Sequence, residues 1–284
     1  MIAADRLTRG DISVAEDALG GARGHQWIEQ GSACDLLLAG DPEAARRALE
    51  GAIAGVDVVV QPQQGRRKLL LVADMDSTMI TVECIDELAD YAGIKSEVAA
   101  VTERAMRGEL DFESALDARV ALLKDLDERV IDHCYAQRVR ATPGASALVQ
   151  TMRENGAYCL LVSGGFNRFA DRVAGEIGFD AAISNQLMID GGRLSGAVQK
   201  PIVGAEAKRQ ALLDAAAARQ IPLDETLAVG DGANDIAMIR AAGLGIAYRA
   251  KPAVAEAADA RIENNDLTAL LFAQGYARSE WMEP

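Results

Sequence analysis

Histidine is nearly missing from this chain, two residues in 284, and the four cysteines, Cys34, Cys84, Cys134 and Cys159, stand far apart with no CxxC pair. A zinc site built from soft ligands is not expected from such a set. No apolar run reaches the ~18 residues that a membrane-spanning helix requires. The opening MIAADRLTRGDISVAED is too polar for a signal peptide. Excess positive charge is missing too: the formal net charge is −14, which argues against nucleic acid or an anionic membrane as the main partner. These absences describe a cytoplasmic protein with reduced thiols.

What is present is enough apolar material for a sizeable core, half of all residues by composition, in one or two domains. Residues 1–65 say least. SACDLLLAGDPEAARRALEGAIAGVDVVVQP reads as strand, helix, strand, with Asp41 as N-cap, Pro42 at the first helical position and Val58 to Val60 as the second strand. QPQQGRR then has the composition of a linker. From residue 68 short apolar strands alternate with helical stretches: LLLVAD (69–74), YCLLVS (158–163), TLAVGD (226–231) and GLGIAY (243–248). Continuous apolar runs separated by helices predict an α/β fold, a Rossmannoid parallel sheet covered by helices on both faces. QLMIDGGRLSGAV (186–198) reads as a hairpin. Residues 85–140 read as a helical insertion that folds as a small cap over the sheet's edge.

The strand LLLV runs into DMDST, two aspartates two positions apart. In an extended segment, residues i and i+2 point the same way, so Asp74 and Asp76 aim their carboxylates at one point, where open α/β sheets bind ligands. Paired carboxylates repel unless a cation sits between them, and their oxygens suit magnesium. The alternative is a turn in which the aspartates satisfy backbone amides. GDGANDIAMI (230–239) repeats the arrangement with Asp231, Asn234 and Asp235, and Gly230 and Gly232 permit a tight backbone.

Other positions carry weaker signals. Ser163, Gly164 and Gly165 follow a strand and offer a hydroxyl and amides for phosphate oxygens. Lys208, near the start of the helix 206–218, either lies in solvent or reaches a phosphate beyond the helix end. Arg119 falls on the apolar stripe of Phe112, Leu116, Leu123 and Leu126, where it snorkels, pairs with a protein carboxylate, or awaits an anionic ligand. Glu83 is an acid in a first helical turn, ordinary by position. His25 and His133 read as structural.

DMDST (74–78) resembles the DxDx(T/V) signature of the haloacid dehalogenase superfamily, and Ser163, Lys208 and GDGAND (230–235) follow in the order of its other motifs. DMDSTMITVECIDELA, AMRGELDFESALDARVALLKDL, LVSGGF and AVGDGANDIAMIRAAGLGIAYRAKP together are similar to the phosphoserine phosphatase family, over about residues 68–265. The resemblance implies a catalytic domain over 66–284 with its cap at 85–140, after an N-terminal α/β segment (1–65) comparable to a reduced regulatory, ACT-like domain. It implies hydrolysis of O-phospho-L-serine to L-serine and phosphate, the last step of serine biosynthesis. Asp74 would be the nucleophile, forming an aspartyl-phosphate, and Asp76 the general acid and base. Mg2+ would be held by Asp74, the backbone carbonyl of Asp76 and Asp231, with Asp235 in support. Ser163, Gly164 and Lys208 would bind the phosphoryl group with Asn234 nearby. Glu83 would take the substrate's ammonium, Arg119 its carboxylate, and Met106 and Phe112 would close the cap. Two alternatives stay open: transfer of the phosphoryl group to another small alcohol such as homoserine, and a non-catalytic receiver-like module. A homodimer is compatible with either.

Overall fold

The computed structural model describes residues 1–21, 23–107 and 109–282; the side chain of Met106, expected to help close the cap, lies outside the described residues. The N-terminal segment holds more structure than its sequence suggested: β1 (Ile2–Ala3), α1 (Arg9–Ala18), β2 (His25–Glu29), β3 (Ala33–Leu36), α2 (Pro42–Leu49) and β4 (Val56–Asp57). The strands form one antiparallel sheet in the order β2-β3-β1-β4. Asp41 caps α2 as expected, its carboxylate accepting from Glu43 N. The strand predicted at Val58–Val60 lies earlier, at Val56–Asp57. At its end the buried Asp57 carboxylate accepts from the backbone N–H groups of Glu263, Asn264 and Asn265 and both asparagine side chains.

Alternation along these strands buries both faces of the sheet. Ala3 and Cys34 pack with Ile12, Ala15 and Leu49 of the segment's own helices. Ile2 and Ala33 join the core of the remaining chain, with Leu270 and Leu271. The connecting stretch, a linker by composition, is anchored: Gln61 and Arg66 donate to Ala273 O, and Arg66 pairs with Asp35.

The second sheet has six strands. β5 (Leu70–Ala73) leads to four cap helices, α3 (Cys84–Tyr91), α4 (Lys95–Met106), α5 (Phe112–Ala121) and α6 (Arg129–Arg138). Then come α7 (Ala145–Glu154), β6 (Tyr158–Phe166), α8 (Asn167–Ile177), β7 (Ala181–Asn185) and the hairpin β8 (Leu187–Asp190) with β9 (Arg193–Val198). The chain closes with α9 (Ala205–Arg219), β10 (Thr226–Gly230), α10 (Ile236–Ala241), β11 (Leu244–Tyr248), α11 (Pro252–Ala257), β12 (Ala260–Ile262) and α12 (Ala269–Ala273). Strand order is β12-β11-β10-β5-β6-β7, and every pairing is parallel.

The run LLVA is continuous because both sides of β5 are dry. Leu71 and Ala73 face one core while Leu70 and Val72 face the other. From β5 the chain proceeds to β6 on one side and later returns to β10 on the other. That reversal opens a crevice at the carboxyl ends of β5 and β10. The cap closes over it. Its apolar stripe ends as a helix at Ala121, and Leu123 is buried beyond the helix, in the turn to α6. The hairpin is a separate two-stranded sheet bonded to the cap: Asp125 N donates to Leu194 O, Leu194 N to Leu126 O, and Glu128 N to Gly192 O.

Candidate active site

The loop after β5 leaves the extended path. Ile80 N closes onto Met75 O at 3.0 Å, and Ser77 takes a φ of 57°. This turn comes after Asp76, whose carboxylate stays near enough to Asp74 to push that carboxyl's pKa up, and lies beside Ser163 Oγ where a Cβ at Gly165 would stand. Asp76 Oδ1 accepts from Cys84 N at 3.0 Å, at the start of the cap. The Asp74 carboxylate gathers with those of Asp231 and Asp235, with one oxygen of each within 4.8 Å of the others.

Asp74 is anchored through a single oxygen. Oδ1 accepts from Met75 N at 2.8 Å and faces Lys208 Nζ at 2.6 Å, while Oδ2 has no hydrogen-bond partner among the described residues. Lys208 is fully buried, so the solvated alternative is excluded, and Nζ also lies 2.7 Å from Asp235 Oδ1. Asp235 Oδ2 accepts from Gly232 N at 2.9 Å. Both Asp235 oxygens are thus engaged within the protein. Asp231 Oδ1 accepts from Thr78 Oγ1 at 2.8 Å, a buried hydroxyl from the β5 loop.

Electrostatics follow from this burial. Desolvation, then the neighbouring Asp235, push the Asp74 carboxyl well above its usual range. Burial raises Asp231 to about 6 against the Thr78 bond. Asp76 is pushed to about 7 by burial and the nearby Glu83, opposed by the bond from Cys84. Burial works against the Lys208 charge, but Asp74 and Asp235 outweigh it and hold the ammonium above the ordinary lysine value. Three crowded hard-oxygen donors around one buried ammonium fit a divalent cation, which would relieve the excess negative charge.

Two glycines serve close approach, not turn geometry. A Cβ at Gly230 would collide with the Asp235 carboxyl, and one at Gly165 would come within 2.7 Å of Asp76 Oδ2. Ser163 is fully buried, and its Oγ accepts from Gly165 N at 2.8 Å. Phe112 Cζ and Asn234 Nδ2 flank the Cα of Gly164, 3.1 and 3.7 Å from where a Cβ would stand. A cap residue and a residue of the β10 loop therefore both pack against Gly164 near the end of β6.

On the cap side, Glu83 does not cap its own helix; its Oε1 accepts from Ser77 Oγ at 2.7 Å. Arg119 donates to Ala115 O and forms no ion pair among the described residues. Desolvation lowers its pKa while Asp86, Glu83 and Asp76 oppose the shift, so the guanidinium faces the acidic side of the crevice. Sequence reasoning missed Thr78 and Asn185. Thr78 stood inside a quoted motif, as the hydroxyl after two aspartates. Asn185 carried no signal, being one polar residue at a strand end.

The family model for haloacid dehalogenase-like hydrolases matches residues 71–240. A phosphoserine phosphatase of Streptomyces coelicolor is 45% identical over 242 residues, 84% of this chain and 59% of that protein. One of Albidiferax ferrireducens is 47% identical over 207 residues, 71% of this chain and 87% of that protein. A solved structure described as a phospho-aspartyl intermediate analogue of phosphoserine phosphatase superposes with a TM-score of 0.67 at 40% identity, covering 72% of this chain and 98% of that one. The chain spans under two thirds of some of these relatives, as with the Streptomyces protein. It contains no helix among the described residues long and apolar enough to cross a membrane. By its matched domain, its parallel sheet and its near-full-length relatives, the chain belongs to the haloacid dehalogenase-like hydrolases, in the phosphoserine phosphatase family.

Proposed function

We propose that the protein hydrolyses O-phospho-L-serine to L-serine and phosphate through an aspartyl-phosphate on Asp74, the last step of serine biosynthesis. The observation that carries this reading is the one-sided anchoring of Asp74: Lys208 and Met75 N hold Oδ1, leaving Oδ2 without a partner among the described residues.

In the first step Asp74 Oδ2 attacks phosphorus, the P–O bond to serine breaks, and the leaving oxygen takes a proton from Asp76. A carboxyl near 7 is half protonated at neutral pH, close to the best value for a group that must give and later accept a proton. In the second step water attacks phosphorus, Asp76 takes its proton, and the P–O bond to Asp74 breaks to release phosphate. Splitting one displacement into two lowers each barrier. Lys208, Ser163 and the Gly164 amide would neutralise and orient the phosphoryl oxygens, which is most of what phosphoryl transfer asks of a protein. Magnesium, when bound, would be held by Asp74, Asp231 and the Asp76 carbonyl with Asp235 in support, and would supply charge neutralisation.

Glu83 and Arg119 would read the amino-acid end, ammonium and carboxylate respectively, and Phe112 would seal the crevice from water. The N-terminal βαββαβ segment is consistent with a reduced ACT-like domain. Purified protein with magnesium should release phosphate from O-phospho-L-serine far faster than from sugar phosphates. Equal rates across such esters, or full activity in Asp74→Asn, would overturn the assignment.

A further inference from the structure

Asn185 is 1% exposed, ends β7, and takes no part in the chemistry above. Its side-chain amide bonds in two directions. Nδ2 donates to Gly164 O at 2.8 Å, and Oδ1 accepts from Val203 N at 2.8 Å. Donor and acceptor are both matched, so only one orientation of the amide satisfies the site.

The carbonyl that Asn185 holds belongs to the same peptide unit as Gly165 N. That N–H donates to Ser163 Oγ at 2.8 Å. A planar peptide transmits orientation without loss: fixing Gly164 O fixes Gly165 N–H. With its lone pair occupied by that N–H, Ser163 Oγ keeps its own proton free to donate to a phosphoryl oxygen. The second bond, from Val203, reaches the stretch that opens α9, where Lys208 N donates to Gly204 O at 3.0 Å. Asn185 and Val203 also bracket the base of the hairpin whose far end is bonded to the cap.

We propose that Asn185 is a positioning residue, setting the Gly164–Gly165 peptide, and thereby the direction of the Ser163 hydroxyl, against the loop that carries Lys208. The inference rests on the phosphatase reading for its chemistry but not on serine as the substrate.

The test compares Asn185→Asp and Asn185→Ser with the wild-type full chain on O-phospho-L-serine and on p-nitrophenyl phosphate, with inhibition by orthovanadate. Asp keeps an acceptor for Val203 N but opposes an oxygen to Gly164 O. Loss of kcat by roughly 10- to 100-fold is expected on both esters, with a parallel rise in the orthovanadate inhibition constant. KM for phosphoserine should stay within about threefold, because recognition of the amino-acid end is untouched. The ratio of Asp-variant to wild-type kcat should rise as pH falls, since a protonated carboxyl again donates to Gly164 O; the Ser variant should show no such recovery. A purely structural role moves neither the pH ratio nor the vanadate constant. Either folded variant retaining kcat within twofold on p-nitrophenyl phosphate, or losing activity only in proportion to the unfolded fraction, overturns the proposal. Loss of the serine preference in wild type would end the substrate assignment while the p-nitrophenyl phosphate arm still decides the role of Asn185.

Discussion

Lys208 Nζ lies 2.6 Å from Asp74 Oδ1 in a space closed to solvent, and the same ammonium touches Asp235 at 2.7 Å. One cation thus serves two buried carboxylates from distant parts of the chain. Its charge is the most secure in the cluster, because both acids favour it despite the burial. The lysine therefore has a structural and an electrostatic duty at once.

Replacing it separates the two duties. Lys208→Met keeps the length and apolar stem but leaves Asp74 and Asp235 uncompensated. Breaking a buried pair from one side costs about 3–5 kcal/mol, so urea unfolding at neutral pH should show a loss of that order in the metal-free protein. Turnover should vanish as well. A variant as stable as wild type would show that the cluster is already neutral.

The acid cluster also fixes how metal and pH interact. Asp231 near 6 and Asp76 near 7 carry raised folded-state values. An acid raised on folding contributes stability that is complete below its unfolded pKa and disappears as pH rises through the folded one. Metal-free protein should therefore lose this contribution between about pH 4 and 7. A divalent cation binds the deprotonated form, so its stabilisation should grow over the same rise in pH. At a hundredfold excess over the dissociation constant it amounts to about 2.7 kcal/mol. Thermal melts with magnesium against EDTA should differ more at pH 8 than at pH 5.5. An equal or reversed difference would rule out binding through these carboxylates.

Much of this arrangement was legible in the residues. LLVA announced a strand dry on both faces, and GDGAND a loop that could meet DMDST across the sheet. Spacing did not convey the turn that follows the pair, with Ser77 at positive φ and Ile80 N closing onto Met75 O, because no period-two pattern encodes it. Lys208 was ambiguous because its position opposes the helix dipole, and only the tertiary pairing explains it. Short strands such as Ile2–Ala3 are beyond pattern reading, since two residues have no periodicity. Asn185 and Asp57 each act through backbone groups far away in sequence, which leaves no local trace.

Replacing Arg119 tests recognition apart from chemistry. Its guanidinium is desolvated without an ion-pair partner among the described residues, and a substrate carboxylate would supply one. A charged hydrogen bond is worth about 1.5–3 kcal/mol. Arg119→Ala should thus raise KM for phosphoserine by roughly 10- to 100-fold. On p-nitrophenyl phosphate, which has no carboxylate, kcat/KM should stay near wild type. Equal losses on both esters would place the arginine in the phosphoryl chemistry instead.

Asp57 offers the opposite separation, stability without chemistry. Its carboxylate gathers three backbone and two side-chain donors from Glu263, Asn264 and Asn265, just past β12, and so docks the N-terminal sheet on the catalytic domain. Asp57→Ala strands those donors in a place that is 4% exposed at the aspartate itself. Each unsatisfied buried group costs about 1–3 kcal/mol, and water entering the gap repays part of it, so a net loss of about 2–4 kcal/mol is expected in chemical unfolding. The site carboxylates lie elsewhere and their bonds do not involve this contact. Specific activity per folded molecule at 20 °C below the variant's own melting point should therefore match wild type. A fall in kcat at that temperature would instead reveal that docking of the N-terminal sheet reaches the crevice.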